Sequence, residues 1–297
     1  EGTLSDETRR RLAATAFTMS AAYDSAISRW FQGEEGLPET FVPTFDKTLE
    51  LAYGENPQQS AAYYAERGRR MHVLSRVEQM SGKPLSFNNV NDLSAGRLLI
   101  REFDHPACVI IKHANPCGAA IAERIEDAYA RAVAADPVSA YGGVVVLNRA
   151  VPAALGEALV EQFVEVLFAP GYDEQAMKAL ARKGSVRILD HTERRALVET
   201  ERDYRRVLGG LLVQDRDWSL PESGDMEVVC GEVSSDQWLD LLFAWRVVKH
   251  VTSNAIVIAR RGQTLGIGAG QQSRVDAVRL AVEKARALGH ELEEAVL

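Results

Sequence analysis

Lys112 and His113 stand together where an apolar, β-branched run, Ala107 to Ile111, gives way to Asn115-Pro116-Cys117-Gly118. An imidazole that titrates near neutrality beside an ammonium suits a proton transfer with developing negative charge: one group takes the proton and the other holds the charge. Neighbours on a regular strand point to opposite faces, so both reach one site only if the chain is already bending, which Pro116 and Gly118 permit. On the dipeptide alone, a surface lysine beside a hydrogen-bonded histidine is the more ordinary account. Gly268-Ala269-Gly270-Gln271-Gln272-Ser273-Arg274 is a second candidate. Glycines ahead of a helix let backbone N–H groups approach an anion, although a tight turn explains them as well. A dinucleotide fingerprint is not completed, because the third glycine and a following strand with its acidic residue are missing. Arg274 opens that helix, and a cation is unfavourable there, so it calls for an acidic partner or an anionic ligand. Asn254 could orient a base or polarise a carbonyl, or merely bond its own turn; Asn89 and Tyr53 have the same standing.

Other chemistry-bearing residues read as structural. Lys249-His250 falls at an expected helix end, where cations suit the dipole. Cys108, Cys117 and Cys230 form no CxxC and no paired framework, as expected of free thiols in a reducing cytoplasm; Cys117 as a nucleophile rests on very little. No zinc-ligand spacing, P-loop or GxSxG occurs, and no metal site is expected.

The elements that must position these residues follow from periodicity. Ser5 and Asp6 start a long helix in which Leu12, Ala16, Met19, Tyr23, Ile27 and Trp30 recur at spacings of three and four, ended by Gly33 and Gly36. Residues 33–50 read as a linker. A helix is expected over Asp92 to Glu102, then a buried strand Ala107 to Ile111, a helix Ala119 to Ala134 and a strand Val144 to Leu147. Strand, crossover helix and strand make a βαβ unit, hence a mostly parallel sheet. Further helices are expected at Ala154 to Val166 and Glu174 to Lys183. Towards the C-terminus come a helix Trp238 to Lys249, strands Ala255 to Ala259 and Thr264 to Ile267, and a helix Arg274 to Leu288. Twice a strand opens through a small-residue loop into a helix, a hint of two related lobes.

Composition bounds the class. The 297 residues are 46% hydrophobic and 26% charged, with a formal net charge of −8. That is a globular composition without the basic face of a duplex nucleic-acid binder. No apolar run approaches the roughly 20 residues that span a bilayer, and no signal peptide opens the chain.

Read in order, Tyr-Gly-Glu-Asn-Pro-Gln-Gln at 53 to 59, Ser-Phe-Asn-Asn-Val-Asn-Asp at 86 to 92, Lys-His-Ala-Asn-Pro-Cys-Gly at 112 to 118, Asp-Pro-Val-Ser-Ala-Tyr-Gly-Gly at 136 to 143, Ala-Pro-Gly-Tyr at 169 to 172, Thr-Ser-Asn at 252 to 254 and Gly-Ile-Gly-Ala-Gly-Gln-Gln-Ser-Arg at 266 to 274 carry a resemblance. Together they resemble the 5-aminoimidazole-4-carboxamide ribonucleotide (AICAR) formyltransferase family, over about residues 50 to 288. The resemblance implies a two-lobed, three-layer α/β/α fold similar to cytidine deaminases without their zinc. It divides the chain into residues 1–50, a helical linker from the end of an IMP cyclohydrolase domain, then lobes at 51–200 and 201–297. It implies a cytoplasmic homodimer with sites at the interface, with AICAR and a folate as partners and no nucleic acid or membrane. The implied cosubstrate is 10-formyltetrahydrofolate, and the family can carry a structural potassium ion. By similarity His113 is the base, Lys112 assists at the formyl oxygen or the leaving nitrogen, and Asn254 holds the reacting groups. Tyr53, Asn89, Gly171, Asp190 and Arg274 match positions that contact nucleotide or folate. Two departures stand out: Ala52 where the family usually has Arg, and an end at Leu297 before a segment that helps form the site. They favour an alternative, a non-catalytic nucleotide- or folate-binding or dimerisation fragment; the intact Lys112-His113 pair favours catalysis.

Overall fold

The computed structural model describes residues 4–33, 36–68, 74, 77–190, 201–219 and 222–297. In chain order the elements are α1 (Asp6–Gln32), β1 (Phe45–Leu51), β2 (Ala61–Glu66), β3 (Glu78–Ser81), α2 (Phe87–Ile100), β4 (Ala107–Lys112), β5 (Asn115–Ile121), α3 (Ile125–Ala135), α4 (Pro137–Ala140), β6 (Gly143–Leu147), α5 (Ala153–Glu161), β7 (Val164–Ala169), α6 (Glu174–Leu180), β8 (Arg187–Asp190), β9 (Arg202–Val207), β10 (Gly210–Asp215), α7 (Ser235–Val248), β11 (Ile256–Arg260), β12 (Gln263–Gly268) and α8 (Arg274–Ala287). They fall into two units. One comprises Glu1–Glu50, Ala62–Ser75 and Arg195–Trp218; the other comprises Leu51–Ala61, Arg76–Arg194 and Ser219–Leu297.

In the first unit α1 begins where its sequence says, with the Ser5 side chain accepting the Thr8 N–H. Its expected apolar seam is uncovered: Leu12, Met19, Tyr23 and Trp30 are exposed, while Ala22 and Ser25 are buried. The Ser25 hydroxyl donates to the Val42 carbonyl, and Arg29 pairs with Glu66 at 3.2 Å. Part of the expected linker is strand, since β1 pairs with β2. The β9–β10 hairpin brings Tyr204 against Phe41 and Phe45.

The second unit is built on one eight-stranded sheet, in the order β11-β12-β5-β4-β6-β7-β8-β3. Only β6–β7 and β7–β8 pair in parallel. Helices cover both faces. On one side lie α3, α5 and α6, burying Ala128, Ala132, Leu155, Leu159 and Leu180 against Ile110 and Leu167. α8 joins them, its Lys284 donating to Asp136 at 2.9 Å. On the other side α2 packs so closely that a Cβ on Gly96 would lie 2.6 Å from Val146. α7 lies beside it, with Phe103 and Phe243 ring centroids 5.4 Å apart.

The expected βαβ unit is overturned. Asn115–Ile121 is a strand that turns straight back on β4, with Lys112 opposite Asn115, and β6 runs antiparallel to β4. Ala119 and Ala120 read as helix because alanine favours helices. Here the small residues serve close packing instead: a Cβ on Gly118 would stand 2.0 Å from the Ala132 carbonyl oxygen of α3. Two boundaries also shift. α2 starts at Phe87 rather than Asp92, because Ser86 and Asn89 form a capping box. Val164 to Val166 belong to β7, not to the end of the preceding helix.

A repeat is present, but not the hinted strand–loop–helix one, since β4 opens into a hairpin turn. The repeating unit is helix–hairpin–helix, α2-β4-β5-α3 and α7-β11-β12-α8, with β4 matching β11 and β5 matching β12. Counterparts keep one separation of 148 residues: 86 to 234, 92 to 240, 113 to 261 and 118 to 266. Ser234 and Gln237 repeat the capping box. Gly266 repeats the close approach, its would-be Cβ 2.1 Å from the Ala281 oxygen. Because β12 meets β5 antiparallel, with Gln263 opposite Ala120, the two hairpin turns point to opposite ends of the sheet.

Candidate functional site

The Lys112-His113 pair does not sit at the mouth of a crossover. It forms the turn of the β4–β5 hairpin. His113 and Ala114 both have left-handed φ, 52° and 59°. Such two-residue turns normally recruit Asn-Gly, and a residue with a β-carbon there costs about 1–2 kcal/mol. One carboxylate holds the turn: Asp92 accepts the His113 N–H at 3.2 Å and the Ala114 N–H at 2.7 Å. Burial pushes the Asp92 carboxyl above its ordinary range, opposed by those two N–H groups and by the charges of His113 and Lys112.

His113 is exposed and Lys112 half-buried. The Lys112 ammonium donates to the Tyr141 carbonyl at 2.6 Å and makes no ion pair among the described residues. It lies against Gly142, where a Cβ would come within 3.4 Å of Nζ and where φ is +68°. Asn115 ties this turn to the next loop. Its amide donates to the His113 carbonyl at 3.1 Å, and its oxygen accepts the Thr252 N–H at 2.8 Å. The Thr252 carbonyl accepts the Gly270 N–H at 2.6 Å, and the Asn254 and Gln271 backbones bond each other. The Asn254 side chain donates to the Gln271 and Gln272 carbonyls at 3.0 and 3.2 Å. Lys112, His113, Asn254 and the glycine-rich loop therefore share one end of the sheet.

Arg274 is the first residue of α8, after Ser273, whose side chain accepts the Asp276 N–H. It is exposed and makes no ion pair with any described residue, so the expected acidic partner is not found among the described residues. Gly268 lets the loop lie on this helix, a Cβ there standing 2.0 Å from the Ala277 oxygen. The Tyr53 backbone carbonyl accepts the Phe87 N–H at the start of α2. Asn89 is buried, with its side-chain oxygen used by the Ser86 N–H. Gly171 and Asp190 are not brought to this end. They follow and terminate β7 and β8, which run antiparallel to β4, and so lie at the sheet end where the Arg261-Gly262 turn projects. A cavity of about 820 Å³ also lies there, lined by Asp240, Phe243, Arg246 and Arg261 among others.

Cys117 is removed as a nucleophile: burial, then the Asp136 charge, pushes its thiol up to about 12, and its Sγ bonds the Ile110 carbonyl. Among the described residues no group of three or more His, Cys, Asp or Glu is placed to hold a metal ion, and no helix is long and apolar enough to cross a membrane. Asp92, Asn115, Tyr141 and Gly142 are the residues whose roles sequence reasoning missed. Each lies inside a motif singled out above, but their contribution is a backbone or long-range contact that only the folded hairpin creates.

Fold and site together define an α/β protein in which Lys112, His113, the Asn254 amide and the α8 N-terminus meet on turns at one end of a mixed sheet. A family model described as the AICARFT/IMPCHase bienzyme matches residues 1–284, and the chain belongs to that family. Its relatives include the bifunctional purine biosynthesis protein PurH of Magnetococcus marinus, 46% identical over 290 residues, covering 94% of this chain and 54% of the relative. The proteins of the same name from Anaeromyxobacter sp. and Bacillus cereus are 44% and 42% identical over 299 and 288 residues, covering 95% and 96% of this chain and 57% and 56% of theirs. The chain thus spans little more than half the length of these relatives.

Proposed function

We propose that this chain transfers a formyl group from 10-formyltetrahydrofolate to the 5-amino group of AICAR, giving FAICAR in IMP biosynthesis, and that the whole protein also has IMP cyclohydrolase activity. The observation that carries this reading is the Lys112-His113 pair held on one hairpin turn beside the Asn254 and Gly268–Arg274 loops. The 5-amino group is a weak nucleophile because its lone pair is delocalised towards the ring carboxamide, so the reaction needs both a base and close positioning.

In this reading the amine nitrogen attacks the formyl carbon while His113 takes one of its protons. The formyl oxygen becomes an oxyanion, and the Lys112 ammonium stabilises it. Collapse breaks the bond from that carbon to N10 of the folate, and N10 leaves with the proton that His113 took, which restores the base. Asn254 orients the reacting groups. Arg274, without an ion pair among the described residues at a helix N-terminus, supplies charge for the anionic nucleotide, and Tyr53 contacts nucleotide or folate. Asn89 acts by shaping the start of α2. Gly171 and Asp190 have no part in the mechanism within one chain. The repeat supports a two-lobed fold similar to cytidine deaminases, and the open position of His113 supports a homodimer in which a second copy covers the site. The free thiols suit a cytoplasmic protein.

The test is to mix the intact protein with AICAR and 10-formyltetrahydrofolate and follow tetrahydrofolate release by absorbance. Release that requires both substrates is the expected result. No release, together with no AICAR binding by calorimetry, would overturn the reading.

A further inference from the structure

The turn that carries Lys112 and His113 uses two residues poorly suited to it. Neither His113 nor Ala114 is glycine, yet both have left-handed φ. What holds them is Asp92, six positions into α2, whose two carboxylate oxygens each accept one of the turn's N–H groups. A carboxylate accepting two convergent N–H groups fixes the orientation of both peptides, and hence the direction in which the His113 side chain leaves the backbone.

The repeat supplies a matched second copy. Asp240 of α7 accepts the Arg261 and Gly262 N–H groups, both at 2.7 Å, under a turn with φ of 51° and 64°. So the helix-borne aspartate is a device of the fold. At the far end of the sheet it supports a turn with glycine at its second position. At the near end it supports Ala114 instead and carries the base.

We propose that Asp92 is a positioning residue for formyl transfer, acting through the His113-Ala114 backbone to hold the imidazole on the same rim as the Lys112 ammonium. The inference rests on the reading of His113 as the base. Neighbouring strand residues would point to opposite faces; the left-handed turn is what brings both side chains to one edge. Release of the turn displaces the imidazole, and a displacement of about 1 Å from the reactive geometry costs about 10²-fold in rate.

Four variants of the intact protein test it: Asp92→Asn, Asp240→Asn, His113→Ala, and Asp92→Asn combined with Ala114→Gly. The two Asn variants should lower the melting temperature by similar amounts. Only Asp92→Asn should lower kcat, by about 10²-fold with the KM for AICAR within about threefold. Ala114→Gly should restore at least tenfold of that loss, because glycine adopts the turn without the carboxylate. A kcat within threefold of wild type in Asp92→Asn, or an equal kcat loss in Asp240→Asn, overturns the proposal. If Asp92→Asn does not fold, Asp92→Glu takes its place; it should lose at least tenfold in kcat, and a loss below threefold overturns the proposal. Unchanged turnover in His113→Ala overturns the underlying reading instead, whatever Asp92 does.

Discussion

His113 is exposed on a turn whose backbone is held from below, so its removal should disturb little besides the proton transfer. His113→Ala is expected to lower formyl transfer by roughly 10²- to 10⁴-fold while AICAR affinity by calorimetry stays within about threefold. Unchanged turnover would remove it as the base. Arg274 differs, because its charge has no partner among the described residues. Arg274→Ala should weaken AICAR binding about tenfold or more, the size expected for losing a charged hydrogen bond to an anion; wild-type affinity would end that assignment. At this scale much was legible. Lys112, His113, Asn254 and Arg274 stand out by residue type and by their place at strand ends or helix starts, and the structure gathers the first three around one set of loops. Asn89 was legible only as a polar residue, and its place three after Ser86 is a capping signal that competes with a binding role. Asp92 was not legible as a partner of His113, because 21 residues separate them and α2 intervenes.

At the scale of elements, glycine sets how closely helices approach the sheet. Gly268→Ala would put a Cβ 2.0 Å from the Ala277 oxygen, so α8 must move. The expected cost is about 1–3 kcal/mol in thermal unfolding, with weaker nucleotide binding as the helix N-terminus shifts. Gly210, with nothing within 4 Å and no left-handed φ, is the control. Gly210→Ala should change stability by less than about 0.5 kcal/mol. Equal melting temperatures for the two variants would refute the close-packing account. The helices at α7 and α8 were readable from caps and period to within a few residues. β5 was not, since Gly118-Ala119-Ala120 satisfies a helix pattern and a tightly covered strand equally well. What decides between them is α3 lying on the strand, a contact no local window contains.

Across the second unit, the two repeats are joined where α2 and α7 end. The Glu102 carboxylate accepts from His250 at 2.8 Å and from Lys249 at 3.1 Å. Burial raises its pKa, but the hydrogen bonds and charges of His250 and Lys249 together outweigh that and hold it below its ordinary value. A carboxyl lowered on folding contributes stability above its unfolded pKa, near 4.3, and loses it as pH falls through the folded value. Asp136, buried but bonded by Ser139 and Lys284, is lowered too. Asp92 is raised, so its ionisation opposes folding and its slope has the opposite sign. Glu102→Gln should therefore flatten, without abolishing, the loss of melting temperature between about pH 5 and 3. An unchanged slope would show that His250 and Lys249 do not hold the Glu102 carboxyl below its unfolded pKa.

By itself the sequence determined most of the helices to within a few residues, the strands β4, β6, β11 and β12, the ordered motifs that mark the family, and the residue types able to do acid–base chemistry. These are local properties, written in spacings of two to four residues and in side-chain identity. Tertiary structure decided which strands pair and in which direction, that Lys112 and His113 share a turn rather than a crossover, and that Gly171 and Asp190 lie at the other end of the sheet. Strand pairing depends on contacts between segments far apart in the chain. Small residues such as Gly118 and Gly266 acquire their meaning only from the helix laid against them.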